Sequence, residues 1–198
     1  LSITRAKTSS IAQGPSTNRN LLAGNPVILP GSYESIATVT VGAGSSGTLT
    51  FSSIPQTYKH LQVRGIARCT FAANEAGVWF QFNGASTNYR SHWLYGNGTV
   101  AGSGESGAGQ IAMQGLSVPA ANAAANTFGP VVIDILDYAD TNKNKTLRAL
   151  GGYDRNGGGY INLQSGVWLS TSAVTSITLT SGTTNMIAGT TFSLYGIK

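Results

Sequence analysis

Charge is what this sequence has least of. Only 10% of its 198 residues are Asp, Glu, Lys or Arg, against ~25% in ordinary globular chains. The acids are too few for paired carboxylates of the glycosidase type to stand out. The bases are too scattered for the dense stripe of a nucleic-acid binder. The excess of +5 is uneven, because Arg5, Lys7 and Arg19 lie within residues 1–30 without an acid among them. The single cysteine, Cys69, excludes an intrachain disulfide, and within an alternating apolar stretch it reads as a small core residue. No apolar run approaches the ~18 residues of a membrane-spanning helix, and no signal-peptide core stands out. The two histidines, His60 and His92, lack zinc-ligand spacing, and no G-x-S-x-G elbow marks a nucleophile. These absences predict a protein with no catalytic residues, no cofactor, no metal, no specific nucleic-acid partner and no membrane insertion.

What is abundant is small and neutral. Gly occurs 26 times, and Ser, Thr, Asn and Gln supply most of the polar surface. Such groups cost less to desolvate than charges, which suits a protein packed in an assembly. From Tyr33 onward, short runs alternate polar and apolar residues. Leu49 and Phe51 alternate with Thr48, Thr50 and Ser52. Val78, Phe80 and Phe82 alternate with Trp79, Gln81 and Asn83. Val131, Ile133 and Ile135 share one face, and Val132, Asp134 and Leu136 the other. Ile177 and Leu179 sit between Ser176, Thr178 and Thr180. Period two with β-branched and aromatic residues predicts half-buried strands. Gly- and Asn-rich segments at 42–47, 83–84, 96–98, 102–109, 156–159 and 182–185 read as the turns between them. About ten strands are expected. The expected fold is all-β, a jelly-roll-like antiparallel β-sandwich over residues 31–198. Residues 120–125, rich in Ala, are the one candidate helical turn.

Residues 1–30 show no period of their own and are punctuated by Gly14-Pro15 and Asn25-Pro26. They nevertheless carry Ile3, Ile11, Leu21, Leu22, Val27, Ile28 and Leu29, too apolar for an ordinary disordered tail. An extended N-terminal arm that buries these residues on a neighbouring subunit accounts for both facts. An edge segment packed on its own domain is the rival reading.

Two groups of residues invite a site. Asp140-Thr141-Asn142-Lys143-Asn144 has alternating oxygen ligands like the start of a calcium loop. Lys143 and Lys145 work against a cation there, so a polar hairpin turn is the preferred reading. Trp79, Trp93 and Trp168 form the second group. Trp79 and Trp168 fall opposite their neighbours' apolar alternation, which predicts that one or both are exposed. Exposed aromatics in such a protein suit sugar stacking or a subunit interface, and capping of the sandwich ends is the third reading.

Several pieces recur in an order that resembles a known family. They are Ser32-Tyr33-Glu34, Val39-Thr40-Val41, TFSSIPQTYKHLQVRG at 50–65, FNG at 82–84 and FGPVVIDILDY at 128–138. Further on come Lys145-Thr146-Leu147-Arg148, Ser165-Gly166-Val167-Trp168, Ile177-Thr178-Leu179 and FSLYGI at 192–197. Together, over residues 33–198, they resemble structural proteins encoded by tailed bacteriophages. The loop 98–110 and the arm 1–30 look individual to this chain. The resemblance implies a virion component with no catalytic residues to carry over. The expected function is therefore a non-enzymatic head-decoration, tail or fibre protein, assembled through its arm with other virion proteins and with copies of itself as a trimer or dimer. The alternative is a carbohydrate-binding module of a phage fibre that recognises a host surface glycan. A depolymerising enzyme, with two acids facing across a cleft, is the third class.

Overall fold

A computed structural model of the protein describes residues 31–114, 116–155, 157–182 and 184–198. Tyr33–Lys198 form one compact unit. The expected arm at residues 1–30, with Ile3, Ile11, Leu21, Leu22, Val27, Ile28 and Leu29, lies outside the described residues.

Among the described residues the chain forms strands and no helix. In chain order they are β1 (Tyr33–Thr40), β2 (Ser45–Ser46), β3 (Thr48–Phe51), β4 (His60–Ala67) and β5 (Glu75–Gly77). There follow β6 (Trp79–Phe82), β7 (Tyr89–Gly96), β8 (Ala101–Glu105), β9 (Ser117–Pro119) and β10 (Gly129–Leu136). The last are β11 (Lys145–Asp154), β12 (Gly159–Trp168), β13 (Ile177–Thr180), β14 (Met186–Ile187) and β15 (Thr191–Ile197). One eight-stranded antiparallel sheet runs β1-β15-β4-β10-β11-β12-β7-β8, and a three-stranded sheet runs β3-β13-β6. Two short pairs, β14-β2 and β5-β9, complete the pairing.

The all-β antiparallel fold is the one the alternation predicts, for the predicted reason. Val131, Ile133 and Ile135 are buried, and so are Val78, Phe80, Phe82, Ile177 and Leu179. These side chains join Leu61, Val63, Leu147, Phe192 and Leu194 in one core between the large sheet and the small one. A jelly roll divides eight strands between two sheets, whereas here eight strands lie in one sheet and three in the other.

Three local expectations are corrected. Among the described residues the strands number fifteen rather than about ten, because β2, β5, β9 and β14 have only two or three residues each and carry no alternation to detect. The Ala-rich stretch 120–125 forms turns and not a helical turn. Its carbonyls at Ala121, Ala123 and Ala124, with that of Thr127, accept hydrogen bonds from the buried guanidinium of Arg68. Segment 102–109 is not simply a turn, since β8 runs through Ala101–Glu105. Its glycines answer to the neighbouring strand: a Cβ on Gly104 would lie 2.5 Å from the Trp93 ring, and one on Gly102 would lie 2.7 Å from the Tyr95 ring. The uncharged strands β13 and β15 both lie inside their sheets. β13 lies between β3 and β6, and β15 between β1 and β4.

Candidate binding surfaces

The core-facing side of the large sheet holds an inversion that begins in β12. Ile161, Leu163 and Val167 point away from the core, while Asn162, Gln164, Gly166 and Trp168 point into it. Gln164 is 2% exposed and Leu163 is 44% exposed. Asn162 Oδ1 and Gln164 Oε1 are buried with no hydrogen-bond partner among the described residues. A strand facing water on its outer side would ordinarily show the opposite phase.

The same phase explains Trp168. Expected as a candidate surface aromatic, it is 6% exposed, stacks on Tyr89 at 6.0 Å and meets Phe82 edge-on. It belongs to the core and to no surface platform. Trp93 is half-buried on the core-facing side of β7, over Gly104. Beside it Tyr95 stacks on Tyr160, with ring centroids 5.4 Å apart. Trp79 is half-buried on the outer side of the small sheet and lines a surface cleft. The structure does not bring the three tryptophans together as one platform.

Strand register turns the inversion into a surface. Val132, Leu150, Leu163, Leu94 and Ser103 are consecutive cross-strand partners over β10, β11, β12, β7 and β8. Ile161 of the adjacent row pairs Gly152 on one side and Gly96 on the other. Leu94, Leu150 and Ile161 each expose more than half of their surface, and Ile66 nearly half. Beside these apolar rows runs a polar one: Gln62, Asp134, Arg148, Ser165, His92 and Glu105. Within it Gln62 Nε2 donates to Asp134 Oδ1 at 2.7 Å, and His92 Nε2 lies 3.0 Å from Glu105 Oε2. A groove of about 480 Å³ lies where the two kinds of row meet, lined by Leu94, Leu163, Arg148, His92 and Glu105 among others. Single exposed leucines need no explanation, but a contiguous apolar face marks a surface that is covered in use.

Comparison of the chain with protein-family models, with curated proteins and with solved structures gave no match.

The candidate calcium loop is a polar turn. Asp140 Oδ1 accepts the Asn142 amide at 2.8 Å. The cationic position is taken by the Lys143 ammonium, 2.6 Å from Asp137 Oδ2 and 3.4 Å from Asp140 Oδ2. Lys59 approaches the same Asp137 carboxylate at 2.9 Å. The hydrogen bond from Lys143, then that from Lys59, holds Asp137 down at about 2. The neighbouring His60 accepts the Asp137 amide through Nδ1 at 3.0 Å, which makes it a structural brace. No group of three or more potential metal ligands occurs among the described residues. Asp137 lies just beyond β10 and Asp154 at the far end of β11, so these two acids are not brought together. Cys69 is buried, and burial pushes its thiol up to about 11, far from a reactive thiolate.

Sequence reasoning missed the outer sheet face. The signal was present: in Ile161-Asn162-Leu163-Gln164 the apolar phase is visible. Only the position of the core shows that this phase faces outward.

Proposed function

We propose that the chain is a non-enzymatic structural component of a tailed-phage virion, a head-decoration, tail or fibre protein that assembles with copies of itself and with other virion proteins. The observation that carries this reading is the inverted phase of β12, which exposes Ile161 and Leu163 and buries two side-chain amide oxygens with no hydrogen-bond partner among the described residues. Leaving apolar rows in water while desolvating unpaired amide carbonyls is unfavourable twice over. Covering the outer face with another protein removes the first cost.

A copy of the same chain suits that face. Its polar row carries both signs, Asp134 and Glu105 together with Arg148, so a two-fold axis that sets Arg148 of one copy against an acid of the other gives complementary charge. Eight strands at ~4.8 Å spacing and ~26 Å length present roughly 1,000 Å², above the ~800 Å² per partner of a standard interface. The low overall charge and the family resemblance of residues 33–198 support the virion setting. In this reading the arm at residues 1–30 is a second, separate anchor, motivated by its apolar content.

A density map of the intact particle of the phage encoding this chain tests the proposal. The body is expected in the virion, in contact with other subunits through the large sheet. Particles that lack the protein altogether would overturn it.

A further inference from the structure

We propose that the cleft around Trp79 binds an uncharged oligosaccharide. This inference stands apart from the assembly role, because the cleft lies beside the small sheet and not on the outer face of the large one. The cleft has a volume of about 570 Å³, and its lining includes Trp79, Phe71, Ile111, Glu75, Gln81 and Thr180. That is enough room for one or two sugar rings.

The Trp79 ring is seated rather than loose. A Cβ on Gly77 would lie 2.8 Å from its Nε1, and one on Gly182 would lie 3.7 Å from its six-membered ring. Gly182 has a φ of +67°, a conformation that favours glycine. The indole is thus backed by two residues without side chains, and Phe71 and Ile111 stand exposed at the same cleft. An apolar ring plane of this kind suits the C–H-bearing face of a pyranose.

The surrounding polar atoms select the ligand. Gln81 projects from the same side of β6 as Trp79, and its Nε2 donates to the Ile111 carbonyl at 2.8 Å. That bond orients the side-chain amide and leaves Oε1 as an acceptor. Glu75 takes the Tyr153 hydroxyl on Oε2 at 3.1 Å, and no described residue is bonded to Oε1. Thr180, the cross-strand partner of Trp79, accepts the Gly182 amide on its hydroxyl oxygen at 3.3 Å and keeps its proton to donate. A ligand matching this set must be rich in hydroxyl donors, which sugars are and proline-type peptides are not. The lining holds Glu75 and neither Lys nor Arg, so uronic or sialic acids and nucleic acids meet repulsion without compensation.

The test follows the Trp79 indole N–H resonance of the full chain during titration with maltotetraose, cellotetraose, chitotetraose and tetragalacturonate. At least one of the three neutral sugars is expected to shift that resonance saturably while leaving those of Trp93 and Trp168 in place. Trp79→Ala is expected to weaken binding about tenfold, with Trp79→Phe retaining most of it and Trp93→Ala unchanged. Because the resonance is read on the wild-type protein, poor folding of a variant does not blunt the test. The proposal is overturned if none of the neutral sugars perturbs Trp79, if the acidic sugar binds more tightly than they do, or if folded Trp79→Ala binds as well as wild type.

Discussion

Gly65 on β4 and Phe192 on β15 are cross-strand partners, and the Phe192 ring lies where a Gly65 side chain would be. A Cβ on Gly65 would fall 2.3 Å from the Phe192 ring and 2.4 Å from the Thr191 carbonyl oxygen. One strand over, a Cβ on Gly196 would fall 2.3 Å from the Tyr58 ring. Segments 58–65 and 192–197 therefore interlock, each supplying an aromatic ring and the glycine that seats the other's ring. Because Thr191 contributes backbone, side-chain rotation cannot relieve Gly65→Ala. The substitution is expected to cost about 3 kcal/mol, read as a lower urea midpoint. A midpoint equal to wild type would show that the rings have slack.

Those same segments show what the sequence makes legible and what it does not. The alternation at 131–135 and 177–179 reveals strands and their buried faces, since there the apolar phase faces the core. Glycines 65, 102, 104 and 196 look like breakers locally, yet they seat rings contributed by other segments of the chain. Nothing within a few residues of a glycine encodes that partner. Trp168 fails for a related reason: the direction of the core at β12 depends on neighbours distant in sequence. The cleft at Trp79 combines β5, β6, Ile111, Ala112, Ser117 and the end of β13, so of its lining only the tryptophan stands out in the sequence.

Arg68 is a buried cation whose four hydrogen bonds all go to backbone carbonyls, those of Ala121, Ala123, Ala124 and Thr127. The planar guanidinium holds the 120–127 loop in shape, a task for which a lysine ammonium has the wrong reach and geometry. Arg68→Lys is expected to destabilise by about 2 kcal/mol and Arg68→Ala by about 4 kcal/mol. Both should speed amide exchange in the loop before global unfolding. Equal stability of Arg68→Lys and wild type would show that charge alone suffices.

Asp137 ties Lys143 and Lys59 together at the turn after β10. Its carboxyl titrates at about 2 in the folded protein, below the ~3.9 of an unfolded chain. The folded state thus favours the ionised form. The resulting stabilisation is fully present above about pH 4 and is lost as pH falls through about 2. Wild type should lose melting temperature over that window, and Asp137→Asn should start lower and change less. If the two proteins lose the same amount between pH 4 and pH 2, the ion pairs contribute nothing.

The outer face of the large sheet separates folding from assembly. Leu94 and Leu163 are paired across β7 and β12 and both point away from the core. Replacing either with Asp should leave stability within about 0.5 kcal/mol of wild type, as at other exposed sites. Association is a different matter, because a carboxylate centred in an apolar interface is desolvated without a partner. Each variant is therefore expected to weaken self-association about tenfold or more, and Leu94→Asp with Leu163→Asp to abolish it. Thr178→Asp, on the outer side of the small sheet, should not. Sedimentation equilibrium of the full chain and the variants reads the difference directly. Self-association that survives the double substitution would place the interface elsewhere. A wild-type chain that stays monomeric at high concentration would remove the second copy as the occupant of this face.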